Sequence, residues 1–95
     1  MPGGEARFSY QNITGQATTV VKSSAGMLHR ITFNNPVATE VITIYDNTAA
    51  SGTKIGTITI PASPQPVSLA YNVEFWTGLT IVTATASSDI TVSFK

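Results

Sequence analysis

The side chains best suited to catalysis are hydroxyls, and the sequence does not place them beside a base. A nucleophilic Ser or Thr needs a base within hydrogen-bond reach and an acid that orients that base. The single histidine, His29, stands in an alternating apolar run, and no Gly-x-Ser-x-Gly motif occurs. A histidine in such a run is far more often a core or interface residue than a ligand or a base. The sequence therefore predicts no catalytic residues and no enzyme.

The carboxylates do not form a ligand set either. They are spread along the chain at Glu5, Glu40, Asp46, Glu74 and Asp89. Asp46 and Asp89 lie in turn segments, where a carboxylate commonly hydrogen-bonds its own backbone. Residues 46–48 lack the regularly spaced oxygen ligands of a calcium loop, and a chain with one His and no Cys has no zinc-type set. Gly52 and Gly56 lie in a hairpin pattern and not between a strand and a helix, which argues against a phosphate loop. We expect neither a metal nor a cofactor.

Trp76 is the side chain whose position most invites a ligand. It falls on the face of its strand opposite Tyr71 and Phe75, so one interpretation is a platform on which a sugar ring stacks. A lone Trp in a small domain is more often a core edge or an interface anchor, because Trp is enriched at interface hot spots. We favour the interface interpretation, and we predict Trp76, Tyr10 and Phe8 as interface residues.

Size and composition limit the other function classes. Ninety-five residues make one domain, and only 11% of them are charged, with a formal net charge of zero. Without a cluster of cations we expect no nucleic-acid partner. No apolar run approaches the roughly 20 residues that span a bilayer, so we expect no membrane association. A surface made of Thr, Ser, Asn and Gln can be buried against a neighbour without desolvating charges, which favours a protein that works in an assembly.

The local sequence pattern predicts that these side chains are carried by β-strands. Residues 40–60 hold two runs rich in Ile, Val and Thr around a polar cluster, which predicts a β-hairpin. Residues 67–75 alternate cleanly between apolar and polar side chains, and no segment has helical periodicity. Seven to eight short strands separated by turns predict an all-β fold, a two-sheet antiparallel β-sandwich of jelly-roll or immunoglobulin-like topology.

The strand pattern also predicts domain organisation and a core. Residues 1–16 hold Gly and Pro with few aliphatic side chains, so we expect a flexible N-terminal arm followed by one sandwich domain over residues 17–95. Within the arm, Phe8, Tyr10 and Ile13 are spaced so that they could dock as an edge strand. In the strand near residue 30, the predicted core side is Met27, His29, Ile31 and Phe33. The prolines of residues 61–66 predict a connection that crosses between sheets. The side chains expected to be mostly buried are Ile31, Phe33, Ile42, Ile44, Ile58, Ile60, Leu69, Tyr71, Ile81, Ile90, Val92 and Phe94.

Three segments carry a family resemblance: TVVKSSAGMLHRI at residues 19–31, IYDNTAASGTKI at 44–55 and FWTGLTIVTA at 75–84. With them, the chain from about Thr18 to Lys95 resembles a small all-β module of structural proteins in tailed bacteriophages, including head-fibre, capsid-decoration and tail-associated proteins. The resemblance implies a non-enzymatic virion protein, assembled in the host bacterial cytoplasm. It implies a homo-oligomer, with a trimer favoured, and other virion proteins such as the major capsid protein as partners. The alternative is a carbohydrate- or receptor-binding β-sandwich that uses Trp76.

Overall fold

The structure is a computed structural model that describes residues 8–95. Eight strands and no helix occur in this part of the chain. The strands are β1 (Ser9–Ile13), β2 (Thr18–Lys22), β3 (Gly26–Asn35), β4 (Val41–Asp46), β5 (Thr53–Thr59), β6 (Val67–Phe75), β7 (Leu79–Val82) and β8 (Asp89–Phe94). The central hairpin predicted over residues 40–60 is β4 and β5.

The strands form two four-stranded sheets whose order fixes the topology. The first sheet has the order β1-β8-β3-β6 and the second has the order β2-β7-β4-β5. The pairs β1 with β8, β2 with β7, β3 with β6 and β4 with β5 are all antiparallel. Such nested pairs arise when one long antiparallel hairpin rolls into two sheets, which is the jelly roll. The predicted antiparallel sandwich is thus confirmed, and its strand order is that of a jelly roll.

The core between the sheets contains most of the predicted side chains. Those predicted and found buried are Ile31, Phe33, Ile42, Ile44, Ile60, Ile81, Ile90 and Val92. Four others, Ile58, Leu69, Tyr71 and Phe94, are only partly buried and pack against this core. Three of these four lie on β5 and β6, which are sheet edges and have no neighbouring strand on one side. The prediction lacked Ile13, Leu28, Phe75 and Leu79, which are also buried.

A bulge in β3 overturns the predicted faces of its first half. Leu28 is fully buried, whereas Met27 and His29 are only partly buried. Leu28 lies opposite Phe94 of β8 and Arg30 lies opposite Ser93, so β3 holds one extra residue at this point. Side chains alternate with a period of two, and an extra residue therefore moves the preceding positions to the other face.

The sandwich begins before residue 17, contrary to the expected boundary. Within the expected arm, Ser9–Ile13 form β1, which pairs with β8 from Ser9 opposite Phe94 to Ile13 opposite Ile90. Ile13 belongs to the hydrophobic core. Residues 1–7 of the expected arm lie outside the described residues. The proline-containing connection at 61–66 does cross between sheets, because β5 lies in the second sheet and β6 in the first.

Glu40 is a buried carboxylate with one weak partner, and it gives a stability prediction. Its Oε1 accepts a hydrogen bond of 3.3 Å from the backbone N–H of Ser88, and Oε2 has no hydrogen-bond partner within residues 8–95. An uncompensated buried carboxylate opposes folding. Replacing it in Glu40→Gln keeps the shape and removes the charge, so we expect the free energy of unfolding at pH 7 to rise by about 1 kcal/mol.

Urea denaturation measures this effect, and Glu74→Gln is the matched control because Glu74 is exposed. The control should stay within about 0.5 kcal/mol of wild type. A Glu40→Gln protein less stable than wild type would show that the carboxylate stabilises the fold.

Candidate binding surface around Trp76

The backbone at Trp76 is held by the carboxylate of Asp46. Trp76 follows β6 in the turn to β7, and Asp46 is the last residue of β4 in the other sheet. The backbone N–H of Trp76 donates to both carboxylate oxygens at 3.0 Å. Oδ1 also accepts from the N–H of Thr77 at 2.8 Å and of Gly78 at 3.4 Å. One side chain of the second sheet thereby fixes the turn that ends an edge strand of the first.

Burial and hydrogen bonding act in opposite directions on Asp46. Desolvation would raise the pKa of this carboxyl, but hydrogen bonds from the N–H groups of Thr77, Trp76 and Gly78 outweigh it, and the pKa lies below its usual value. We predicted that Asp46 would hydrogen-bond its own turn. Its partners instead lie some thirty residues away in sequence, because β4 and β7 are neighbours in the second sheet.

The loop after β4 packs against the same turn. The hydroxyl of Thr80 donates to the backbone oxygen of Asn47 at 2.7 Å. The side-chain amide of Asn47 donates to the backbone oxygen of Ser51 at 2.8 Å, which closes the loop on itself. A methyl group added to Gly78 would lie 2.8 Å from the backbone oxygen of Lys22 and 2.9 Å from Cγ2 of Thr48. The turn that contains Trp76 is therefore tightly packed.

The indole of Trp76 projects into solvent beside an open cleft. The side chain is 76% exposed, although it is the only Trp in the chain. The cleft has a volume of about 580 Å³ and is lined by Lys22, Ala25, Gly26, Met27, Glu74, Phe75, Trp76 and Lys95. It offers an aromatic face, two ammonium groups and one carboxylate. This arrangement is suited to stacking and hydrogen bonding.

The other two predicted interface residues lie on or near β1. The ring of Phe8 stacks on His29, with centroids 4.1 Å apart and planes 12° apart. The Nζ of Lys95 lies 5.2 Å from the Phe8 centroid, so Lys95 neighbours both Phe8 and the Trp76 cleft.

Tyr10 is 77% exposed on β1. Because β1 and β6 are opposite edges of the first sheet, Tyr10 and Trp76 are separated by three strand spacings, about 14 Å, and belong to different surfaces.

Polar side chains of the first sheet form a hydrogen-bonded layer between these edges. The amide nitrogen of Asn12 donates to Asp89 Oδ1 at 2.7 Å, and that of Asn34 donates to the same oxygen at 3.1 Å. Asp89 thus bonds side chains of neighbouring strands, whereas we had predicted that it would bond its own turn. On the other side of β3, the hydroxyls of Thr32 and Ser68 lie 2.9 Å apart. His29 donates from Nδ1 to Asn72 Oδ1 at 2.8 Å, which gives this histidine a structural partner.

The searches for other sites and for relatives gave negative results. No group of three or more His, Cys, Asp or Glu side chains in residues 8–95 is placed to hold a metal ion. The same residues contain no helix long and apolar enough to cross a membrane.

A scan against protein-family models, a search of curated proteins and a search of solved structures found no match to this chain. The resemblance to phage structural modules stays a prediction.

Sequence reasoning did not identify the groups that surround Trp76. Lys22, Glu74 and Lys95 come from three different strands or their ends, and nothing in their spacing brings them together. The sequence also did not indicate the contact of Asp46 with residues 76–78. The sequence did show an Asp in one turn, Asp46, and a Gly in another turn that follows a strand, Gly78. This combination is too common to predict a contact.

Proposed function

We propose that this protein is a non-enzymatic structural protein of a tailed-phage virion, a capsid-decoration, fibre or tail component that acts through homo-oligomeric assembly. The virion role rests on the resemblance of residues 19–31, 44–55 and 75–84, and the observation that carries the assembly role is the exposed indole of Trp76 on a backbone fixed by Asp46. A large aromatic side chain on a rigid backbone loses little conformational entropy on binding, and such residues are typical interface anchors.

The scarcity of charges supports the same proposal. With 11% charged residues and no net charge, association must depend on apolar and hydroxyl contacts. Contacts of this kind are weakly screened by salt, unlike ion pairs. We therefore expect the self-association constant to change little between low and moderate salt.

Trp76→Ala tests the anchor. Truncating a buried interfacial Trp commonly costs about 2 kcal/mol or more, so we expect self-association to weaken about thirtyfold. Analytical ultracentrifugation over a concentration and salt series measures this effect. The matched control is Val67→Ala, an exposed apolar residue at the far end of β6, roughly 27 Å along the strand. Equal weakening in both variants, or wild-type association that collapses with salt, would contradict the proposal.

The virion role has its own test. Phage particles that encode this chain can be purified and analysed by quantitative mass spectrometry. We expect many copies of the chain per particle. Its absence from intact particles, with the protein present elsewhere in the infected cell, would remove the virion assignment and leave the assembly proposal standing.

The cleft beside Trp76 favours one second candidate, a carbohydrate- or receptor-binding module. An aromatic face next to hydrogen-bonding groups, here Lys22 and Glu74, is the usual composition of a sugar site. A glycan array with wild type and Trp76→Ala distinguishes the two functions. Glycan binding by wild type that is lost in the variant, with the oligomeric mass unchanged, would favour this candidate over assembly.

A further inference from the structure

The four edge strands of the sandwich differ in how well they could pair with another chain. The edges are β1 and β6 in the first sheet and β2 and β5 in the second. An unpaired edge is a template for intermolecular pairing, and natural proteins block it with bulges, charges or proline. The pairing of β2 with β7 shifts register between Val20 and Lys22, and that of β5 with β4 shifts next to Lys54. In β6 the register with β3 also shifts, and Asn72 has a φ of 53°. These three edges are irregular.

The fourth edge, β1, has none of these features. Its ladder with β8 is regular over all five residues, from Ser9 opposite Phe94 to Ile13 opposite Ile90. The strand SYQNI contains no charge, proline or glycine. All its residues except Ile13 are exposed, and Tyr10 exposes a larger fraction of its surface than any other large hydrophobic side chain in residues 8–95. Of the four edges, β1 is therefore the one whose backbone is ready to accept a further strand.

We propose that β1 pairs antiparallel with β1 of a second copy of this chain, about a two-fold axis through Gln11. In this register Gln11 lies opposite Gln11 of the other copy, and Tyr10 lies opposite Asn12. The two four-stranded first sheets then join into one continuous sheet of eight strands. A two-fold contact uses the same surface on both copies, so the strand needs to be complementary only to itself.

A second copy fits this edge because the strand is uncharged, so two copies can pair without bringing like charges together. Like charges that face each other across a pair of strands are destabilising, and SYQNI has none. The amide of Asn12 is already held by Asp89, which gives the tyrosine ring of the other copy a fixed polar surface to cover. The pairing does not use Trp76, and it therefore extends the assembly proposal without depending on it.

Disulfide cross-linking tests the proposed register directly, because the chain has no cysteine. Directly opposite residues have Cα atoms about 4.5 to 5.5 Å apart, within the range that a disulfide spans. Gln11→Cys should therefore give a covalent dimer under mild oxidation. In the same register Ser9 lies opposite Ile13, so two copies of Ser9→Cys are about 13 Å apart and should not link. Thr57→Cys, on the exposed edge strand β5, is the control for random collision.

A charge exchange at the two-fold axis gives an independent test. Gln11→Lys alone and Gln11→Glu alone should each weaken dimer formation about fivefold, because two like charges face each other. Mixing the two variants should restore association to at least the wild-type level. Efficient linking of Ser9→Cys or Thr57→Cys, no linking of Gln11→Cys, or no recovery on mixing would each overturn the β1 pairing.

The Trp76→Ala change in the Gln11→Cys chain separates this inference from the proposed function. Cross-linking should persist in the double variant even where the Trp76 contact is lost. If Trp76→Ala abolished the cross-link, β1 would not be an independent interface and the inference would be wrong. If the cross-link persisted and Trp76→Ala changed no oligomeric mass, the Trp76 anchor would be wrong and the β1 pairing would stand.

Discussion

Gly26→Ala should destabilise this protein by about 3 kcal/mol, a large fraction of the stability of a small domain. A methyl group at Gly26 would overlap the backbone carbonyl oxygen of Lys95 and lie 2.9 Å from Cζ of Phe75. Neither neighbour moves freely. Lys95 exchanges two backbone hydrogen bonds with Met27, of 3.0 and 2.9 Å, and Phe75 is fully buried. Overpacking at such a position is relieved only by separating the start of β3 from Lys95.

Urea denaturation of Gly26→Ala measures the loss, and Gly15→Ala is the matched control. A Cβ at Gly15 meets nothing within 4 Å, so its substitution should leave stability unchanged within about 1 kcal/mol. Wild-type stability in Gly26→Ala would contradict this prediction and would mean that the backbone at Lys95 can shift without cost.

Asp46→Ala should lower the free energy of unfolding by about 2 kcal/mol at neutral pH. The substitution removes the acceptor for the N–H groups of Trp76, Thr77 and Gly78. Hydrogen bonds to a charged group contribute about 1.5 to 3 kcal/mol each, but this carboxylate is partly solvated and the sum must be discounted. The Trp76 turn should also lose its fixed backbone, which amide hydrogen exchange would detect as faster exchange at residues 76–78.

The pH dependence of this effect has a definite sign. Because the pKa of Asp46 in the folded protein lies below its ordinary value of 3.8, the unfolded chain binds the proton more readily than the folded chain. The stabilisation is therefore fully present above about pH 5 and is lost as pH falls through the folded-state pKa. Asp46→Asn should lack this acid-dependent loss. A wild-type minus Asp46→Asn stability difference that stays constant from pH 7 to pH 2 would contradict this assignment.

Local pattern predicted the strands because β-structure leaves a period-two trace that requires no knowledge of neighbours. The alternation in residues 41–46 and 89–94 is enough to place Ile42, Ile44, Ile90 and Val92 in the core, and all four are fully buried. The same rule misplaced Leu28 and His29. The bulge there depends on the register of β3 with β8, a strand some sixty residues away in sequence.

Apolar alternation, turn residues and composition are local properties, and they were enough to predict an antiparallel β-sandwich with few charges. The packed structure decided the jelly-roll strand order, since no local feature states which strands pair. It also decided that Asp46 reaches across to the Trp76 turn, that Gly26 has no room for a side chain, and that β1 is a regular edge. Each of these depends on contacts between residues far apart in sequence, whose geometry only the packed sheets define.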